Sequence, residues 1–351
     1  MAGRIVVAGA GAIGASAAYH LAERGARDVV LCDIGEVASG ATGRAMGGVR
    51  QQFSTAAEVR LTQASIAFLQ TLGAELFRQV GYMFVATTPE GLTRLQERVE
   101  LQRSLGVPIE DCDAGEVDGL YVDDVQGAVI CREDGVADPP AVTREVVRRA
   151  AERGVEVRER TDARTLDADA LVIACGWQSC EVAETSGVEL PIRPLCRQLV
   201  EVGPVDGLPD TLPMVVEEET GFHFRRRDDV LRLAWREPAP RWTSDPVVDE
   251  ARVPEWLARL AYRYPPAAAA PVASAWAGLY DMTPDAHPII GRVAEGVFVA
   301  AGFSGHGFMQ SPAVGRAVAQ LVLDEEPEFD FAPYALERFA ADAVFPEELV
   351  L

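Results

Sequence analysis

Lysine is absent: all 32 basic residues among the 351 positions are arginine. That excludes chemistry needing a lysine Schiff base, a lysine general base or the lysine of a phosphate-binding P-loop. Positive charge is also outweighed, since 54 acidic side chains leave a net charge of −22. Binding to a polyanion draws on counterions released by clustered basic groups, so a field of this sign works against a nucleic-acid partner. Long hydrophobic runs are missing too. The Ala-rich stretch 265–279 is broken by prolines and a serine and falls short of the ~20 apolar residues of a membrane helix, so no membrane span is expected. The first apolar run opens at Arg4, which leaves no room for a cleavable leader, and the sequence reads as a soluble cytoplasmic protein. Cysteine is sparse and unclustered. Cys32, Cys112, Cys131, Cys175, Cys180 and Cys196 include no CxxC pair, which favours buried thiols over a metal site or a disulfide framework.

What remains is ordinary globular composition, 48% hydrophobic and 25% charged, at a length that suits one large domain or two. Residues 4–8 (RIVVA) form a short continuous apolar run, as in a strand buried on both faces. Gly9-Ala10-Gly11-Ala12-Ile13-Gly14 follows, then a helical stretch over 15–24 ended by Gly25, then an apolar strand over 29–32 closed by Asp33. GxGxxG alone is weak evidence in a chain with 31 glycines. Its setting strengthens it, because the match follows a strand, opens a helix and precedes an acid 19 residues after Gly14. There Gly9 permits the tight turn, Gly11 admits a pyrophosphate to the backbone, Gly14 lets helix and strand pack closely, and Asp33 takes ribose hydroxyls.

Farther along, 139–153 reads as a helix with an N-terminal proline, stopped by Gly154 and followed by a strand over 155–158. A buried strand over 169–174 ends in Cys175-Gly176-Trp177. From 191 to 276 the texture changes to short alternating stretches such as 222–225 and 230–235, broken by Pro204, Pro209, Pro213, Pro238, Pro240 and Pro246. That pattern predicts an antiparallel sheet. A buried strand returns at 296–302, and a helix is expected over 312–323. A nucleotide-binding start and finish around an antiparallel middle imply a domain discontinuous in sequence, with the insert beside the cofactor shaping a substrate cavity.

Residues 278–291 read GLYDMTPDAHPIIG and residues 298–309 read FVAAGFSGHGFM. With the N-terminal βαβ unit, these segments make the chain resemble the D-amino-acid-oxidase-like flavoproteins, in the branch of monomeric sarcosine oxidase and the β-subunits of heterotetrameric sarcosine oxidase and L-proline dehydrogenase. The resemblance covers most of the chain and decides FAD over NAD. It implies an α/β fold with an added antiparallel sheet: a Rossmann-like, glutathione-reductase-type FAD-binding domain over 1–80, 135–190 and 275–351, and a substrate domain on a mixed sheet over 81–134 and 191–274. The glycine turn with Ala12 and Ile13, and Asp33 with Ile34, would then hold the adenine dinucleotide, together with Ala163, Gly176 and Trp177. Segment 38–53 (ASGATGRAMGGVRQQF) matches one that passes behind the flavin and delivers an arginine to the active site, implicating Thr42, Gly48, Val49 and Arg50, with Arg44 the second candidate arginine. Gly305, His306, Gly307, Phe308 and Met309 would lie along the isoalloxazine, where a glycine turn before a helix offers free N–H groups and the positive dipole end to the pyrimidine edge.

Two departures from the family pattern bear on chemistry. Where relatives with covalently attached FAD carry a cysteine, this chain has Gly278, so FAD is expected without a covalent link. Where sarcosine oxidase places one lysine over the flavin and another near the substrate carboxylate, the matching positions are Arg232 and Met309. An arginine does not readily release a proton and methionine carries no charge, which shifts expectation from oxidase toward dehydrogenase. The implied activity is oxidation of an amino acid or N-alkyl amino acid to the imine by hydride transfer to flavin N5. Arg50, with Arg232 or Arg236, would anchor the carboxylate, and Tyr280 and His306 would be polar wall groups. The electron acceptor would be a quinone, an electron-transfer protein or oxygen. Two alternatives stay open: a 2-hydroxy-acid dehydrogenase, and a flavoprotein subunit of a larger electron-transfer complex whose hydrophobic tail, 345–351, docks a partner.

Overall fold

Strand Ile5–Ala8 is buried at all four residues, as an unbroken Ile-Val-Val-Ala run inside a covered parallel sheet must be. The computed structural model describes residues 3–341 and 343–346; most of the expected docking tail, 347–351, lies outside the described residues. The first strand lies within a six-stranded sheet whose order is Ile289–Ala294, Val297–Ala301, Ala170–Ile173, Ile5–Ala8, Val29–Cys32, Glu156–Arg158. Its pairings are parallel except between Ile289–Ala294 and Val297–Ala301. Helices Ala12–Glu23, Pro139–Glu152 and Gly307–Val322 share one core with this sheet, in which Ala15, Ala18 and Leu21 meet Val146, Ala150, Val314 and Val318.

The second sheet has nine strands and is mixed. Met214–Glu217 runs parallel to Tyr82–Ala86, while their other partners are antiparallel. Alternation divides its two faces. Tyr82, Phe84 and Ala86 join the core that includes Leu95 and Val99 of helix Pro89–Ser104, whereas Met83 and Val85 join Trp256 and Leu260 of helix Val253–Arg263. Strand Val272–Met282 pairs with Arg193–Val202 from Val272↔Val202 to Met282↔Arg193. The large sheet thus runs across the division expected at 274/275. A short sheet of Gly48–Val49, Gly135–Ala137 and Phe77–Arg78 joins two of the three segments expected to make up the FAD-binding domain.

The last helix starts at Gly307, five residues before the expected start, and encloses Pro312. A proline there deprives the Phe308 carbonyl of its helical donor. The Ser311 hydroxyl supplies a replacement, donating to Phe308 O at 2.9 Å. The early start matters because it aims the helix N-terminus at the cavity described below.

The TPDAHPIIG motif turns out to be structural. Thr283 donates to the His287 carbonyl at 2.7 Å, and Asp285 accepts a forked pair from Arg338 at 2.8 and 3.0 Å. His287 Nδ1 lies 2.8 Å from Glu58 Oε1, which also accepts from the Tyr334 hydroxyl at 2.9 Å, and Gln310 donates to the other Glu58 oxygen. Phe345 stacks on His287 at 4.0 Å between ring centroids, so the described start of the tail packs on its own chain.

Candidate active site

The glycine turn is shaped by contact. Gly9 has φ +98° and a Cβ there would sit 2.3 Å from the Ala174 carbonyl oxygen at the end of the neighbouring strand, while a Cβ on Gly14 would sit 1.8 Å from the Gly9 carbonyl oxygen and push the helix from the turn. The turn opens into a single cavity of about 650 Å³ that extends from Asp33 past Gly11 and Gly48 to Gly305 and Arg236. Asp33 is fixed at one end by accepting from Ala10 N and Gly35 N, both at 2.7 Å. Ile34 stands beside it, 59% exposed, an apolar side chain suited to covering an adenine face. Ala163, Gly176 and Trp177 line the same end.

Helices Ala12–Glu23 and Gly307–Val322 both begin on this cavity, and neither has a side-chain cap. Two open N-termini on one elongated cavity are what an anionic pyrophosphate and an electron-rich pyrimidine edge require. Thr42 Oγ1 takes the Ala12 N–H at 3.1 Å. Gly305, at φ +95°, brings the second loop so close that a Cβ would meet the Tyr280 ring at 2.3 Å. Asp281 holds that loop, accepting from Gly302 N at 2.7 Å, and burial pushes its carboxyl above the usual range. The donor set fits FAD.

Of the residues singled out in the sequence, Gly9, Gly11, Ala12, Ile13, Asp33, Ile34, Thr42, Gly48 and Arg50 line the cavity, as do Ala163, Gly176, Trp177, Tyr280 and Gly305 through Met309. Gly14 lies behind the turn, and Val49 is buried in the core around Phe53. Arg232 is not brought to the cavity. It pairs with Glu201 at 2.7 Å, donates to Ala45 O at 3.1 Å and sits over Trp276. The partner carboxylate lies on the adjacent strand, directly across at Glu201↔Arg232, and outcompetes a position over the ring.

Arg50 is 1% exposed, donates to the Gln52 carbonyl and lies 4.0 Å over Phe53. Gln52 is braced in turn, its amide donating to Tyr82 O and to Asp134 at 3.0 Å each. Asp134 is buried, which pushes its carboxyl up to about 6. His306 stands at the position before the second helix without capping it, its ring perpendicular to that of Phe53. The sequence reading missed two polar residues of this chamber, Arg197 and His223. His223 Nδ1 meets Gly221 O at 2.8 Å, an arrangement in which the ring donates. Burial, with the Arg50 and Arg197 charges adding, pushes its pKa down to about 4. A neutral imidazole held this way presents Nε2 as an acceptor. A single histidine in an alternating strand leaves no signal beyond its face.

Comparison with known proteins agrees with this geometry. Residues 4–321 match the DAO family of FAD dependent oxidoreductases, and the chain belongs to that family. It is an FAD-dependent oxidoreductase. Among solved structures it is similar to L-proline dehydrogenase from P. horikoshii, at TM-score 0.92 and 27% identity over 98% of this chain and 99% of that one. Glycine oxidase of Geobacillus kaustophilus is 29% identical over 95% of this chain and 96% of that enzyme. 4-Methylaminobutanoate oxidase (formaldehyde-forming) of Paenarthrobacter nicotinovorans is 27% identical over 96% of this chain, which spans only 46% of that enzyme.

Proposed function

We propose that the protein oxidises the C–N bond of an amino acid or N-alkyl amino acid to the imine, as a dehydrogenase rather than an oxygen-using oxidase. The observation carrying this reading is one chamber that joins a buried, braced guanidinium at Arg50 to a neutral ring acceptor at His223, beside the cavity end formed by Gly305 to Met309. The guanidinium suits a carboxylate and the ring nitrogen suits an amine N–H, so the two hold the carbon between them in a fixed orientation. Bound FAD supplies the acceptor for the hydride from that carbon. With its pKa near 4, His223 is neutral at neutral pH and can accept from a substrate N–H without taking up the proton; the reacting form is the free amine, whose ammonium proton is lost to solvent. Tyr280 and the His306 ring close the wall and restrict water.

FAD is held without a covalent link in this reading. Gly278 occupies the ring-end position, and the two cavity thiols, Cys32 and Cys175, are at the Asp33 end, where burial pushes them up to about 11 and about 12. Met309 on the cavity and Arg232 turned to Glu201 leave no amine over the ring, which supports a quinone or electron-transfer protein as acceptor. No helix among the described residues is long and apolar enough to cross a membrane, and a cytoplasmic location is part of the proposal. Turnover of amino acids, N-methyl amino acids and 2-hydroxy acids with a dye acceptor tests it. Imine-derived carbonyl product from the amines supports the reading, and turnover confined to hydroxy acids refutes it.

A further inference from the structure

The chamber carries more positive charge than one substrate carboxylate needs. Arg197 donates to Glu237 at 2.7 Å, and Arg241 donates to the other oxygen of the same buried carboxylate at 3.0 Å. Arg236, the residue before Glu237, lines the cavity, is exposed, and has no ion pair or side-chain hydrogen bond among the described residues. The Nε of Arg197 is buried and has no hydrogen-bond partner among them. Two guanidiniums therefore share the Glu237 carboxylate and the third, Arg236, has none, an excess of +2 over these four side chains in a chain of net charge −22, with Arg197 and Arg236 on the cavity itself. A desolvated guanidinium nitrogen without a partner is costly to keep, and a planar donor beside an uncompensated neighbour suits a carboxylate.

This cluster is distinct from Arg50, whose guanidinium is engaged by Gln52 and lies over Phe53. The two are nevertheless parts of one chamber, because Arg50 and Arg197 both act electrostatically on His223 and on Tyr280. Arg197 also sits 5.9 Å over the Tyr280 ring. We propose that Arg197 and Arg236 form a subsite for a second carboxylate, so that the substrate is an amino or imino dicarboxylic acid. Arg50 then takes the carboxylate next to the oxidised carbon, and the Arg197–Arg236 pair takes the distal one. The assignment rests on the amino-acid reading above for its chemistry, and on the charge arrangement for its second anion.

Binding tests this without turnover. Non-oxidisable acids are titrated into the FAD-loaded protein at constant ionic strength, following flavin absorbance and melting temperature: malonate, succinate and glutarate against propionate, butyrate and valerate. The proposal expects one dicarboxylate to bind at least about tenfold tighter than the monocarboxylate of equal chain length. Arg236→Gln should cut that ratio to within about threefold of unity, and Arg236→Glu should invert it. Arg94→Gln, a change at an arginine beside Glu218 and off the cavity, serves as a control that keeps the ratio. No dicarboxylate preference in the unmodified protein, or a preference that survives Arg236→Gln, overturns the subsite. A dicarboxylate preference without oxidation of any amino acid sustains the subsite and overturns the amino-acid reading.

Discussion

Replacing Glu58 by alanine removes a carboxylate that ties helix Ala56–Gln70 to the C-terminal segment. The side chain is fully buried and meets His287 Nδ1 at 2.8 Å, the Tyr334 hydroxyl at 2.9 Å and the Gln310 amide. Alanine leaves these donors buried without an acceptor, at roughly 1–3 kcal/mol for each one unmet, so a loss of about 3–5 kcal/mol is expected after partial relaxation. Glutamine should behave differently. Its carbonyl can occupy the Oε1 position and keep His287 and Tyr334. Its NH2 then faces Gln310, whose own Oε1 is buried without a partner among the described residues and can turn to accept. About 1 kcal/mol is the expected cost of Glu58→Gln. Thermal unfolding with saturating FAD reads the pair: for a chain this long, roughly 4–7 °C lost for alanine and about 1 °C for glutamine. Equal melting temperatures for the two variants would refute the hydrogen-bond account.

Three further outcomes follow from the geometry. Gly14→Ala puts a Cβ 1.8 Å from the Gly9 oxygen, so the helix N-terminus must withdraw; flavin retained after gel filtration should drop to about a tenth, and retention above half would contradict the close-approach argument. His223 has a folded pKa of about 4, below its ordinary 6.5, so the folded state binds fewer protons between those values. The stability it contributes is complete above pH 6.5 and is lost as pH falls toward 4, by at most roughly 3 kcal/mol, and His223→Gln should flatten that part of a stability-versus-pH curve. Reduced protein mixed with oxygen or with a quinone should reoxidise faster with the quinone, and rapid reoxidation by oxygen would contradict the dehydrogenase assignment.

The nucleotide-binding half was legible because its signals are local. An apolar strand, a glycine turn and an acid at the next strand's end are contiguous, and the structure places Gly9, Gly11 and Asp33 on one cavity wall. The last helix begins five residues before Pro312, and no local sequence signal reveals that the Ser311 hydroxyl makes the proline tolerable inside it. Arg232 drew attention through its position in the family pattern, yet pairing across the strand to Glu201 holds it away. The conspicuous TPDAHPIIG segment sits in a buried brace around Asp285, His287 and Glu58, and Glu58 lies on a helix to which no motif pointed. Arg197 and His223 were invisible for a simpler reason. Each is one side chain on an alternating strand, and its importance arises only when strands distant in sequence are brought together.

What reduces the bound flavin decides whether this chamber oxidises amino acids. Under anaerobic conditions, FAD-loaded protein mixed with amino acids, N-methyl amino acids and amino dicarboxylates should lose its visible flavin absorbance with at least one of them. Arg50→Gln should weaken the apparent affinity for that substrate by about a hundredfold while the protein still retains FAD. Bleaching by 2-hydroxy acids alone, or bleaching by an amino acid that is indifferent to Arg50→Gln, would contradict the assignment of this chamber.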